Sequence, residues 1–262
     1  QILENMRGQL VRPDLVSYNT LVKALGEAGL TAEAEEALME MAGQHLVPDR
    51  VSYTTLIKAY ATRAAKEPFP SIEGAERVFE EMRRGSLEAD LVSYTTMLHT
   101  CARAGAPERA ELWLRRAEEA GLHVDAFGYG MLLNACARQG DADRAEAWLE
   151  TMLQRRVLPD IVCYNALLQA CARAGEFARA EAWLRRMDSA AAPCPCPDVV
   201  SFNTLIGGCG QALDGGVAVA QRLLEEMRKR RLGPSAGTPG ALRRALGGAA
   251  ARELLAGESV EG

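Results

Sequence analysis

Hydrophobic residues in the stretch 15–28 recur at helical spacing, at Val16, Leu21, Val22 and Leu25, and Gly29 follows as a left-handed stop. A second helix is predicted from Thr31 to about His45, with Thr31 as its N-cap and Ala34, Leu38 and Met41 along one side. Val47-Pro48-Asp49 then turns the chain, since proline cannot prolong the helix. The same pattern returns along the sequence. LVSYTTMLHTCARAGAPERAELWLRRAEEAGLHVD at 91–125 is followed by AFGYGMLLNACARQGDADRAEAWLETMLQRRVLPD at 126–160, and IVCYNALLQACARAGEFARAEAWLRRM starts at Ile161. Further copies open with LVSYNTLVKALGEAG at Leu15, RVSYTTLIKAY at Arg50 and VVSFNTLIGGC at Val199. One aromatic marks each copy: Tyr18, Tyr53, Tyr94, Tyr129, Tyr164 and Phe202, in steps of 35, 41, 35, 35 and 38 residues. Six copies at one period predict an all-α array of stacked helix pairs around a continuous core.

The repeats run 15–49, 50–90, 91–125, 126–160, 161–198 and 199–235. Residues 1–14, QILENMRGQLVRPD, read as the end of a second helix from a preceding repeat, so the natural N-terminus is expected further upstream, and with it any targeting peptide. The second repeat carries the loop insertion AAKEPFPS, with Ser71 expected to cap the helix that resumes after it. DSAAAPCPCPD lengthens the junction of the fifth and sixth repeats, and ALDGG lengthens the sixth, which ends at Gly233-Pro234-Ser235. In the last segment, 236–262, one short helix over 241–255 with Leu242, Leu246, Leu254 and Leu255 is expected to cover the final apolar face, with GESVEG as a disordered tail.

Composition changes this picture little. A hydrophobic content of 48% suffices for such a core, and no apolar run approaches membrane-spanning length. The net charge of −5 counts against a non-specific nucleic-acid binder, so the placement of the cations matters more than their number. Cys101, Cys136, Cys171 and Cys209 occupy one place in successive repeats, about 10 Å apart for packed helices, too far for disulfides, and read as small buried hydrophobes. Cys194-Pro-Cys196 is a weak metal or redox motif without a partner pair. Trp113, Trp148 and Trp183 fall 35 apart in the second helices and read as inter-repeat core rather than as a platform for bases.

No phosphate-cradling glycine loop, no H-E-x-x-H and no dinucleotide fingerprint is present in the sequence. His45, His99 and His123 are scattered, and Glu33, Glu35, Glu36, Glu80 and Glu81 read as solvated second-helix surface. These patterns predict no active site, metal site, cofactor, small-molecule substrate or membrane partner. Two polar positions per repeat are not required by packing. The residue after the marker aromatic is Asn19, Thr54, Thr95, Gly130, Asn165 and Asn203; the residue closing the repeat is Asp49, Asp90, Asp125, Asp160, Asp198 and Ser235. The aspartates read partly as N-caps. The short amides and hydroxyls form a stripe of donors and acceptors that suits a base edge. Four residues beyond it stand Lys23 and Lys58, and eight beyond stand Arg103, Arg138 and Arg173. At about 100° per residue these offsets come to about 40° and about 80°, the same helix face. A cation ladder beside polar readers suits a single-stranded phosphate backbone.

The copies VSYNTLV, VSYTTLI, VSYTTML, VCYNALL and VSFNTLI, the Ala-Gly before the second helix and the Pro-Asp close resemble the pentatricopeptide repeat family over residues 15–235, all in its plain 35-residue class. The resemblance implies a right-handed superhelix of helix pairs with single-stranded RNA along its concave groove, 5′ end toward the N-terminus, and one base read per repeat. It implies that the residue after the aromatic and the residue closing the repeat select the base, while Val16, Val51, Val92, Phe127, Val162 and Val200 clamp it. On the family's pairings, Asn19 with Asp49 and Asn165 with Asp198 imply U. Thr54 with Asp90 and Thr95 with Asp125 imply G, Asn203 with Ser235 implies C, and Gly130 leaves the fourth position open: 5′-UGGNUC-3′. Asp14 would pair with a selector upstream of this sequence. The resemblance further implies a non-enzymatic adaptor in a mitochondrion or chloroplast, acting on organellar transcripts. A structural subunit of an organellar ribosome, or a protein-binding scaffold, is the alternative it leaves open.

Overall fold

A computed structural model describes residues 12–67, 71–188, 195–211 and 215–256. Among these residues there are fourteen α-helices, one 3₁₀ turn and no strand. The first helices of the six repeats are α1 (Leu15–Ala28), α3 (Arg50–Ala64), α5 (Leu91–Ala104), α7 (Ala126–Gln139), α9 (Ile161–Ala174) and α11 (Val199–Gly208). The second helices are α2 (Thr31–Gly43), α4 (Glu73–Arg84), α6 (Pro107–Glu119), α8 (Ala142–Gln154), α10 (Phe177–Met187) and α12 (Gly216–Lys229). A 3₁₀ turn, Cys209–Gln211, extends α11, and α13 (Thr238–Leu246) and α14 (Gly248–Ala256) close the described chain.

Each first helix starts from an aspartate. Asp14, Asp49, Asp90, Asp125, Asp160 and Asp198 have extended backbones, and each carboxylate accepts the backbone N–H three residues on. That satisfies one of the donors a helix start leaves open. At the other end Gly29, Gly105, Gly140 and Gly175 hold φ between 64° and 86°, which a side chain would oppose. The second helices start differently. Leu30, not Thr31, is the N-cap of α2. Thr31 lies inside the helix, buried, and its hydroxyl accepts from Arg63 Nη1 at 2.9 Å. Ser71 also precedes the cap: Ile72 occupies it, and Ser71 Oγ accepts from the Glu73 N–H at 3.3 Å. The single C-terminal helix expected over 241–255 is two helices, broken at Gly247, where φ is 83°. Residues 1–11, 68–70, 189–194, 212–214 and 257–262 lie outside the described residues, Cys194 among them, as do the side chains of Leu254 and Leu255.

The described chain forms two compact units that meet in sequence at Val124 and Asp125. In the first, α3 lies between α1 and α5, with α2, α4 and α6 packed behind them. In the second, α9 lies between α7 and α11, and α13 packs on α11. The marker aromatics Tyr18, Tyr94, Tyr129, Tyr164 and Phe202 are buried core, and Tyr53 is half-buried. Trp113 and Trp183 are buried too, and each passes its indole N–H to a carboxylate of the preceding repeat, Glu76 at 3.1 Å and Glu146 at 3.2 Å.

The second-helix carboxylates are therefore not simply a solvated face. Glu35 accepts from the Tyr60 hydroxyl and pairs with Arg77 at 2.6 Å, and Glu80 pairs with Arg116 at 3.0 Å. Exposed pairs of this kind contribute about 0–1 kcal/mol each. Truncating a buried tryptophan to alanine costs about 3–5 kcal/mol. Apolar contact holds neighbouring repeats together, and the ion pairs fix which turn meets which. Cys101, Cys136, Cys171 and Cys209 are buried, and burial pushes the thiols of Cys101, Cys171 and Cys209 up to about 12. Among the described residues no helix is long and apolar enough to cross a membrane.

Candidate functional site

A first helix buries its aromatic and leucine positions against its own second helix and the neighbouring first helices, which leaves one stripe uncovered. On that stripe stand Val16, Val51 and Val92 in the first unit, 68%, 58% and 60% exposed. Phe127, Val162 and Val200 hold the same register in the first helices of the second unit, 59%, 51% and 57% exposed. A large apolar side chain left open at one register in every repeat contributes nothing to the core.

Three residues on come the positions expected to select bases, half-buried except for the buried Gly130, with different partners in different repeats. Asn203 Nδ2 donates to Ser235 Oγ at 3.1 Å, so the sixth selector pair is in direct contact. Asn19 bonds to Asp49. Burial would raise the Asp49 pKa, but hydrogen bonds from Ser52 and from Asn19 outweigh it and hold the carboxyl below its ordinary value. The amide oxygens of Asn19 and Asn203 are buried and have no hydrogen-bond partner among the described residues. Such an oxygen can accept from a donor supplied from outside the chain. Asn165 Oδ1 instead accepts from Ser201 Oγ at 2.6 Å, and the same hydroxyl reaches Asp198 Oδ1 at 2.9 Å, which links the fifth pair through one serine.

The threonine hydroxyls turn inward. Thr54 Oγ1 donates to Arg50 O at 2.9 Å and Thr95 Oγ1 to Val92 O at 3.1 Å. With the proton spent on the backbone, each offers lone pairs to anything above it. Asp90, the partner of Thr54, is doubly engaged: Oδ1 accepts from the Ser93 N–H at 2.9 Å, and Oδ2 pairs with Arg50 Nη1 at 2.7 Å. Gly130 presents nothing. A Cβ there would meet only Cys163 Sγ, at 3.7 Å, beside the Asp160 cap. Asp125 accepts from the Gly128 N–H at 3.1 Å.

Lys23, Lys58, Arg103, Arg138 and Arg173 are all exposed. Lys23 and Lys58 line one cleft of about 120 Å³ with Gly26, Thr55, Ala59 and Thr62. Arg173 Nη1 donates to Arg138 O at 2.8 Å, tying one cation to the backbone of the repeat before it. Two residues were missed by sequence reasoning. Arg50 is one; its signal is a cation at the first helical position, which the other five repeats lack. His99 is the other, four residues beyond Thr95 and so at the register of Lys23 and Lys58. Burial, then the charges of Arg103 and Lys58, hold its pKa below 6.5. Among the described residues no group of three or more His, Cys, Asp or Glu is placed to hold a metal ion.

The sequence matches the pentatricopeptide repeat domain over residues 77–123, 112–174 and 155–212, and further repeat models of the same family over 13–62 and 200–232. The chain belongs to the pentatricopeptide repeat family. No curated protein matches it. Among solved structures, the pentatricopeptide repeat protein PPR10 in complex with an 18-nt psaJ RNA element aligns over 97% of this chain with a TM-score of 0.51 and 23% identity. PPR10 from maize, in the structure solved without a named RNA, aligns over 98% with a TM-score of 0.50 and 23% identity. This pentatricopeptide repeat chain spans only about two fifths of PPR10, 41% and 40% in the two structures. The PPR domain of Arabidopsis thaliana protein-only RNase P 1, in complex with tRNA, is covered over 96% of its length by 80% of this chain, with a TM-score of 0.53 and 17% identity. At these identities the likeness is one of fold.

Proposed function

We propose that this pentatricopeptide repeat protein is a sequence-specific, single-stranded RNA-binding adaptor that reads one base per repeat, with 5′-UGGNUC-3′ as its preferred site. The observation that carries the reading is the stripe of exposed apolar side chains, Val16, Val51, Val92, Phe127, Val162 and Val200, each three residues before a polar selector. Flat apolar bases are suitable cover for such side chains, and the polar groups beside them supply the choice among bases. The complexes of PPR10 with an RNA element and of the RNase P domain with tRNA are consistent with this.

Three of the six pairs have hydrogen-bonding groups that suit the base assigned to them. Thr54 and Asp90 are both acceptors, which suits the two N–H donors on the pairing edge of guanine. The unpaired Asn19 oxygen suits the single imide N–H of uracil, and the unpaired Asn203 oxygen suits the exocyclic amine of cytosine. Lys23, Lys58, Arg103, Arg138 and Arg173 would follow the phosphates. The adaptor would work on organellar transcripts in a mitochondrion or chloroplast, and so beside a ribosome or an RNA-processing complex.

Selection from a random RNA pool tests this. Enrichment of UGGNUC is expected, and replacing Arg103, Arg138 and Arg173 together by Gln should weaken all RNAs about equally. At about 0.7 per phosphate on single strands, the salt slope of the triple variant should fall by about 2. A pool without any enriched motif would overturn the reading. Co-fractionation with one large particle would then favour the structural-subunit alternative.

A further inference from the structure

We infer that α13 and α14 are a seventh, shortened repeat, and that Arg244 on α13 holds the phosphate on the 3′ side of the sixth nucleotide. This rests on the RNA-binding reading above. The match is one of register and hydrogen bonding. Ser235 stands where other repeats close with aspartate. Its N–H donates to Thr238 Oγ1 at 3.0 Å, as the Asp49 and Asp198 N–H groups donate to Ser52 and Ser201 Oγ, both at 3.2 Å. Thr238 is fully buried, as Ser52, Ser93 and Ser201 are. Then α13 packs on α11 as α3 packs on α1, and it ends at Gly247, a glycine of positive φ but extended ψ, before α14 begins.

Counting from Ser235 as from Asp49, the selector position falls on Gly240, and four residues further is Arg244, the register of Lys23 and Lys58. The sixth repeat has no cation of its own on this face: its two ladder positions are Gly207 and Gln211. Arg244 makes up the loss. It lines one cleft of about 470 Å³ with Arg173, Val200, Asn203 and Thr204. Close approach of α13 requires a glycine beneath it, since a Cβ on Gly210 would fall 2.7 Å from Ala245 O. Arg244 is exposed and makes no ion pair with a described residue, whereas Arg243 Nε donates back to Pro239 O at 3.3 Å. With Gly240 in the selector place, this last step binds backbone and reads no base.

The test is fluorescence anisotropy with two RNAs that share a long unstructured 5′ flank and UGGAUC. One ends at the final C, and the other continues for three nucleotides. Wild type should bind the extended RNA about threefold to fivefold tighter, the scale of one exposed ion pair. That advantage should not depend on the seventh base. Arg244→Gln should abolish it and lower the salt slope by about 0.7, Arg244→Lys should keep it, and Arg243→Gln should behave as wild type. Arg244→Gln retaining the full 3′ advantage, with UGG-specific binding intact, would overturn this inference alone. Failure of the wild type to prefer UGGAUC over a scrambled RNA would overturn it together with the reading it rests on.

Discussion

An aspartate that caps a helix uses one carboxylate oxygen for the cap, and the other is free for further work. The caps were legible from the aspartate that closes each of the first five repeats, because capping is local chemistry over three residues. What occupies the second oxygen was not legible, since the partner lies a whole repeat away. Asp49 shows the consequence for stability. Its carboxyl is held below 3.8 against the effect of burial, by Ser52 and Asn19. A folded-state pKa below the unfolded one means stability that is present above about pH 4 and lost as pH falls through the folded value. Asp49→Ala should cost about 1 kcal/mol at pH 7. Asp49→Asn should keep the cap and lose part of the acid sensitivity, as urea melts at pH 7 and pH 3 would measure. Equal acid sensitivity in Asn and wild-type proteins would show that the carboxylate charge contributes nothing.

At Asp90 the second oxygen is held by Arg50 at 2.7 Å, half in solvent. If Asp90 reads a guanine, Arg50 competes with the base for that oxygen. An exposed pair of this kind is worth about 0.2–1 kcal/mol, so Arg50→Gln should sharpen the preference for G over A at the second nucleotide by up to about fivefold. The readout is the ratio between two RNAs, so a general loss of charge cancels. An unchanged or reduced ratio would mean that Arg50 does not restrain Asp90.

At the scale of a helix, both the pattern and its failures have simple causes. Helical spacing, Asp at the start and Gly at the end mark α1, α5, α7 and α9 unambiguously, because each signal acts within a few residues. Thr31 and Ser71 misled because a hydroxyl near a helix start resembles a cap, while Thr31 is drawn inside to meet Arg63 from the next repeat. Glu35 and Glu80 misled for the same reason: their partners Arg77 and Arg116 are far away in sequence. His99 looks isolated among three scattered histidines, yet it shares the register of Lys23 and Lys58. On α5, near Arg103 of its own helix and Lys58 of α3, its pKa is lowered by burial and then by both charges. Its folded pKa lies below the unfolded 6.5, so it contributes stability above that pH and withdraws it as pH falls. A phosphate bound beside Lys58 and Arg103 would reverse the local field and raise the pKa. The His99 resonance should therefore titrate below 6.5 in free protein and move upward when RNA is added. RNA affinity should rise between about pH 7.5 and pH 5.5, and His99→Gln should flatten that rise. A titration that RNA leaves unmoved would place the phosphates elsewhere.

Over the whole chain, the charge and the proposed base-reading positions are distributed rather than concentrated. Acidic residues outnumber basic ones, yet many of the carboxylates on second helices are paired with arginines, while the first-helix stripe carries Lys23, Lys58, Arg103, Arg138 and Arg173 in the open. The period of the sequence made this legible, and net charge alone would have hidden it. In the proposed code the fourth repeat is the gap. Gly130 offers no donor or acceptor, yet Asp160 and the exposed Phe127 are in place around it. A side chain can be accommodated there, because a Cβ would touch only Cys163 Sγ at an ordinary 3.7 Å. Gly130→Asn should therefore recreate the Asn and Asp pairing of the first and fifth repeats. Selectivity at the fourth nucleotide should change from none to a preference for U of about tenfold, taking about 1–3 kcal/mol for a good base-edge contact from duplex DNA as the scale. Helix propensity favours the change too, since glycine inside a helix costs about 1 kcal/mol relative to alanine. Neighbouring positions should keep their preferences, because repeats interact mainly with the next in line. Competition between UGGUUC and UGGAUC, in one longer unstructured RNA, measures it for wild type and variant. A variant that stays indifferent at the fourth nucleotide would show that the residue after the aromatic does not choose the base.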